Sequence, residues 1–169
     1  QAIDAVNGLV SHAGLVSRYS FAPVTFEGEV RWPEGMALVI AVSGVRSRKT
    51  GPQREVYNRL SLATRLILDR WRQASGSEAP TLAAAVAEPG APAAIRDLLA
   101  HTAEPGFPEG FLVGRFRQFV AESVEIIPAA SAALAGGDLV EFGLHVDRSQ
   151  LEAEAGLGTA QASRAQMEA

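Results

Sequence analysis

The chain contains no cysteine. Disulfide bridges, thiolate nucleophiles and cysteine-ligated metals are therefore excluded, and the composition fits the cytoplasm. No apolar run approaches the roughly 18–20 residues that cross a bilayer, and no charged-then-apolar leader opens the chain, so no membrane partner is expected. Positive charge is not in surplus either. Fifteen Lys and Arg against nineteen Asp and Glu leave a formal charge of −4 and a pI near 5.4. A nucleic-acid partner would call for a basic footprint, which is missing. His12, His101 and His145 are far apart, with no i,i+4 pair to suggest a zinc site. Neither Gly136-Gly137 nor Gly156-Leu157-Gly158 follows a strand and opens a helix, so both read as helix punctuation rather than phosphate loops. Lys49-Thr50-Gly51 spells one triad of the penicillin-binding enzymes, but the Ser-x-x-Lys and Ser-Asp-Asn elements that would accompany it are absent.

What is present is a globular balance. Apolar residues make up 47% and charged residues 20% of 169 positions, enough for one domain with a real core. The first 45 residues pattern as strands. Leu15, Val16, Tyr19 and Phe21 mark one between Gly14 and Phe21, and Val24, Phe26, Val30 and Trp32 alternate with polar residues in a second. Ala22-Pro23 and Pro33-Glu34-Gly35 are the turns of an antiparallel meander, and the nearly all-apolar run Ala37 to Val42 predicts a third, central strand.

After Pro52 the period changes to that of a helix. Val56, Leu60, Ala63, Ile67 and Trp71 form one stripe, which ends at Ala74-Ser75-Gly76-Ser77. Shorter helices are expected over Thr81 to Ala87 and Ala91 to His101, bounded by Pro89-Gly90 and Pro105-Gly106. A second long helix from about Glu109 to Ala135 carries Leu112, Phe116, Phe119, Ser123 and Ile126 as its buried stripe. Pro128 should kink or split it, because proline lacks the helical donor. Gly136-Gly137 ends it. Asp138 caps the next helix, with Glu141 in the capping-box position. From Leu151 onward large apolar residues are few, and a weakly ordered tail is expected.

Three features in succession carry a family resemblance. They are the strand Leu38 to Val45, the basic turn Arg46-Ser47-Arg48-Lys49-Thr50-Gly51-Pro52, and a helix opening Arg54-Glu55-Val56-Tyr57-Asn58-Arg59, with Asp4 far upstream. Together with Ile126-Ile127-Pro128-Ala129-Ala130 and Phe142-Gly143 through Asp147-Arg148-Ser149-Gln150, this order resembles the middle of the galactokinase-like GHMP small-molecule kinases. The resemblance implies an ATP-dependent sugar kinase that needs Mg2+ and takes a sugar and ATP as its small-molecule partners. It implies that Asp4 stands beside the sugar hydroxyl that is phosphorylated, and that Tyr57, with Asn58 at its edge, binds the sugar. It also implies an α+β fold of two domains. Residues 1–51 would then be the strand-rich end of an N-terminal domain, 52–151 the helical part of a C-terminal domain, and 152–169 the tail.

By themselves the same residues have plainer readings. Asp4 is equally the cap of a helix starting near Ala5, Tyr57 sits at the edge of the apolar stripe, and Arg46, Arg48 and Lys49 suit a solvated turn. The Gly-rich segments that hold ATP in the family are not among these residues, and the chain begins with Gln rather than Met. The expectation is an incomplete chain of such a kinase, inactive in isolation. The alternative is a non-catalytic sugar-binding or scaffold relative.

Overall fold

In a computed structural model, residues 12–21, 24–37, 39 and 52–157 are described. The fold is α+β, a two-stranded antiparallel sheet followed by helices. Strand β1 (Leu15–Phe21) pairs with β2 (Val24–Arg31), in register from Leu15 opposite Arg31 to Phe21 opposite Val24. Between Arg18 and Tyr19 the register shifts: Arg18 faces Gly28 and Tyr19 faces Phe26, so Glu27 is the extra residue of a bulge. Gly28 adopts φ +142°, a conformation that side-chain-bearing residues rarely take, which is why glycine stands beside the bulge. Tyr19 and Phe26 meet edge to face at 5.5 Å across the pair. After β2, Met36 N–H bonds to Pro33 O (3.3 Å), and the Trp32 indole donates to Met36 O at 3.0 Å. The chain thus turns at Pro33-Glu34-Gly35 as expected. Most of the expected third strand lies outside the described residues. Of that segment, Ala37 and Val39 are irregular, and Val39 is 82% exposed.

The first helix, α1 (Pro52–Ser75), begins where the hydrophobic period changes. Ala63 and Ile67 are fully buried and Trp71 packs on the same core, so the central part of the expected stripe holds. Gly76 at φ +73° ends the helix, with its N–H on Arg72 O. The loop that follows is clamped from both sides. Glu88 accepts from the Trp71 indole (3.1 Å) and the Ser77 hydroxyl (2.6 Å), while the Arg72 guanidinium donates twice to Ala79 O. Helix α2 (Leu82–Val86) is capped by Thr81, whose hydroxyl oxygen accepts from Ala84 N–H. Helix α3 (Ala91–Ala100) carries a proline in its first turn and buries Ala91, Ile95 and Leu99 at four-residue spacing.

Just before Pro128 the second long helix changes its winding. It neither splits nor stops. Helix α4 (Phe111–Val120) runs into a π-helical turn (Ala121–Ile126), which continues into α5 (Ile127–Gly136) with the proline in its first turn. A π turn inserts one residue, and the widened ladder accommodates the proline and its missing N–H. It also resets the buried face. Phe116, Ala121 and Ile126 are buried at five-residue spacing, while Ser123, expected in the stripe, is exposed. By length and composition the continuous helix Phe111–Gly136 is apolar enough to cross a membrane. Here its Leu112 and Phe116 join the core of α1, α2 and α3.

Gly137 (φ +74°) closes α5, and Asp138 N–H reaches back to Ala133 O at 2.9 Å. Asp138 then caps α6 (Leu139–Leu157) by accepting from Glu141 N–H at 3.0 Å. Only this half of the expected capping box forms. The Asp138 N–H is already engaged, and the Glu141 carboxylate lies 3.3 Å from His145 Nε2 instead. Helix α6 continues past Leu151, where a tail was expected. Within it Gly156 is buried against Gly114 of α4. Two glycines at one crossing let the helix backbones approach closely, which anchors a stretch poor in large side chains. Residues 158–169 lie outside the described residues.

Candidate functional site

Of the residues singled out from the sequence, Asp4 lies outside the described residues, as do Arg46, Arg48 and Lys49. Tyr57 lies in the first two turns of α1, with its side chain outside the description. Asn58, one position on, is exposed on the same helix. The expected juxtaposition of Asp4 with Tyr57 therefore falls outside the described part of the chain. Among the described residues no group of three or more His, Asp or Glu side chains is disposed to hold a metal.

What the tertiary structure does build is a cleft of about 430 Å³ between the hairpin and the helices. Arg18, Tyr19, Ser20 and Glu27 line it from the hairpin, Thr64 from α1, Thr81, Leu82 and Ala83 from the start of α2, and Phe119, Ser123 and Ile127 from the long helix. The bulge at Glu27 matters here. It brings that carboxylate to 3.0 Å from Arg18 Nε, so the two charges on the hairpin wall offset one another. The contact is too bent for a hydrogen bond, and Arg18 Nε is buried without a hydrogen-bond partner. The Tyr19 hydroxyl is also buried without a partner, although the residue lines the cleft. Leaving such a group unpaired costs about 1–3 kcal/mol. Thr64 spends its hydroxyl proton on Leu60 O at 3.0 Å. Thr81 uses its oxygen as the cap of α2 and keeps its proton to donate.

A second concavity, of about 450 Å³, lies over the α3–α4 connection, between His101, Glu104, Phe107 and Gly110. Of its two acidic residues, Glu104 and Glu109, the first is already bonded to Arg70 at 2.7 Å.

Along the other side of the long helix runs a polar seam against α6. Ser149 donates to both oxygens of Glu122 (2.9 and 3.0 Å), Arg148 donates to Glu125, and Arg117 faces Glu152 at 3.5 Å. The hydrogen bond to the Glu125 carboxylate pushes the Arg148 pKa above its ordinary value. Arg115 is partly buried, bonds to Gln118 and lies 5.9 Å over the Phe119 ring; burial lowers its pKa. These pairs join helices and read as structural, although Arg115 Nε and Glu152 Oε2 are buried without a hydrogen-bond partner.

Sequence reading assigned none of the cleft residues to a site: Tyr19, Thr81, Phe119, Ser123 and Ile127 entered it only as strand, helix-start, stripe or resemblance residues. Its wall comes from segments far apart in the chain, and no local motif signals their meeting. No protein-family model, curated protein or solved structure matches the chain.

Proposed function

We propose that the chain is part of an ATP-dependent sugar kinase of the galactokinase-like GHMP type, acting in the cytoplasm. It transfers the γ-phosphoryl group of ATP, with Mg2+, to a sugar hydroxyl. In this reading the hairpin belongs to the N-terminal domain of the two-domain kinase fold and the helices to the C-terminal one. Asp4 orients the hydroxyl and accepts its proton, and the Tyr57 hydroxyl and Asn58 contact the sugar. A tyrosine suits that role because its ring covers the apolar face of a sugar while its hydroxyl bonds to the polar rim.

The observation that carries the reading is the order of the Asp4, basic-turn and Tyr57-Asn58 segments along the sequence. It is supported by a hairpin over residues 15–31 and a helix opening at Pro52, which puts Tyr57 and Asn58 near that helix's start. Phosphoryl transfer rests on positioning and charge neutralisation, and a Gly-rich loop usually supplies much of both. No such loop is among these residues, so the 169-residue chain alone is expected neither to bind ATP tightly nor to turn over.

The test is ATP-dependent phosphorylation of a panel of hexoses by the protein that contains this chain and a Gly-rich loop. Galactose or a related hexose should be phosphorylated. Sugar binding without phosphorylation would leave a non-catalytic relative, and neither binding nor turnover would overturn the reading.

A further inference from the structure

We propose that the outer face of α6 is the docking surface for an amphipathic helix that carries a Lys or Arg within its apolar stripe. The side that α6 turns to the long helix is polar or small: Ser149 bonds to Glu122, Glu152 meets Arg117 and Gly156 crosses Gly114. The large apolar residues point the other way. Leu139, Val140, Leu144, Val146 and Leu151 are between 36% and 77% exposed. At about 100° per residue they fall within about 160° of one another, so they form one stripe rather than scattered positions. A helix whose outer side faces water carries its apolar stripe inward. The reversal in α6 is what a surface built to be covered shows.

The occupant follows from charge and length. Asp147 lies inside the stripe, three residues after Leu144 and four before Leu151, so it shares their face. Glu141 and Glu154 have neighbours on the helix in His145 and Gln150, whereas Asp147 is exposed and makes no hydrogen bond or ion pair among the described residues. A purely apolar partner would strip this carboxylate of water and return nothing. A Lys or Arg set in the partner's stripe offsets that cost. Along α6 one arginine, Arg148, stands against four carboxylates, Glu141, Asp147, Glu152 and Glu154, and Arg148 is held by Glu125. An anionic lipid surface would call for a basic helix instead. A second copy would set this acidic face against its own kind. From Leu139 to Leu151 the stripe runs about 18 Å, which matches about three turns of one partner helix with anchors at i, i+4 and i+7. The surface uses none of Asp4, Tyr57 and Asn58, so it does not rest on the kinase reading.

The experiment measures binding of labelled peptides of about 18 residues to the 169-residue chain by fluorescence anisotropy. Both peptides are Leu/Gln amphipathic helices; one has Lys at the centre of its Leu stripe and the other has Glu there. The Lys peptide should bind about tenfold more tightly than the Glu peptide. Asp147→Asn should remove that preference and leave the melting temperature of the free chain unchanged. Leu144→Ser combined with Leu151→Ser should weaken the Lys peptide by about tenfold or more, again with the free chain still folded, because both side chains are exposed in it. The same variants are compared by sedimentation velocity and with phosphatidylcholine/phosphatidylglycerol vesicles. Equal binding of the two peptides, a preference that survives Asp147→Asn, or binding of neither peptide would each overturn the proposal. So would self-association or vesicle binding that the Leu144/Leu151 double variant abolishes.

Discussion

The glycine pair at the crossing of α4 and α6 allows a quantitative test of how this helical layer is held. A methyl group added at Gly156 would lie 2.7 Å from Gln118 Cβ and 2.9 Å from Gly114 O. Neither neighbour can swing away. One belongs to helix backbone, and the other is the first side-chain atom of a buried residue whose amide bonds to Arg115. The helices must separate, and overpacking of this kind typically costs about 1–3 kcal/mol. Alanine offsets part of that, since it favours a helix over glycine by about 1 kcal/mol. Gly156→Ala is therefore expected to destabilise the chain by up to about 2 kcal/mol. Gly114→Ala is the matched control. Its methyl would meet Gly156 O at 3.6 Å and Cα at 3.8 Å, which is ordinary contact. Only the propensity gain remains, so that variant should be more stable by about 0.5–1 kcal/mol. Urea denaturation followed by circular dichroism measures both. The opposed signs should also appear in melting temperature, at about 2–4 °C per kcal/mol for a chain of this length. If Gly156→Ala stabilises the protein as much as Gly114→Ala does, α6 does not dock on α4 at this crossing.

Ile67 is fully buried between α1 and its neighbours, and Ile67→Ala should cost about 2–5 kcal/mol in the same denaturation assay. Thr81→Ala removes the side-chain acceptor for Ala84 N–H and should cost about 1 kcal/mol; Thr81→Ser should recover most of it. In the active protein, Asp4→Asn should lower the rate of sugar phosphorylation by about 10²–10⁴ with ATP affinity retained, as measured by turnover and nucleotide binding. Tyr57→Phe should act mainly on sugar affinity, by about 0.5–1.5 kcal/mol, for the loss of one hydrogen bond. A large fall in kcat without a change in sugar binding would assign Tyr57 to the chemistry instead.

Local patterning was enough to place most elements. Period-two alternation around Tyr19 and Phe26 marked the hairpin, and the change of period at Pro52 marked α1. Gly76 and Gly137 stopped helices where left-handed glycines do, and Thr81 and Asp138 started them. Each of these depends on contacts within a few residues, which a linear sequence displays. The candidate residues Asp4, Tyr57 and Asn58 likewise came from order along the chain. Tertiary structure decided three things that no local pattern contains. Pro128 suggested a kink or a split, but whether the helix breaks or takes in a π turn depends on what its faces must bury. The spacing of Phe116, Ala121 and Ile126 shows that the packed face won. The tail after Leu151 looked too poor in large side chains to dock. Close approach at Gly114 and Gly156 makes small residues an asset at that crossing, and only the partner helix reveals it. The cleft gathers Tyr19, Thr81 and Phe119 from three separate segments. Its chemistry depends on a bulge that turns Glu27 toward Arg18, a pairing set by the register of two strands rather than by either strand alone.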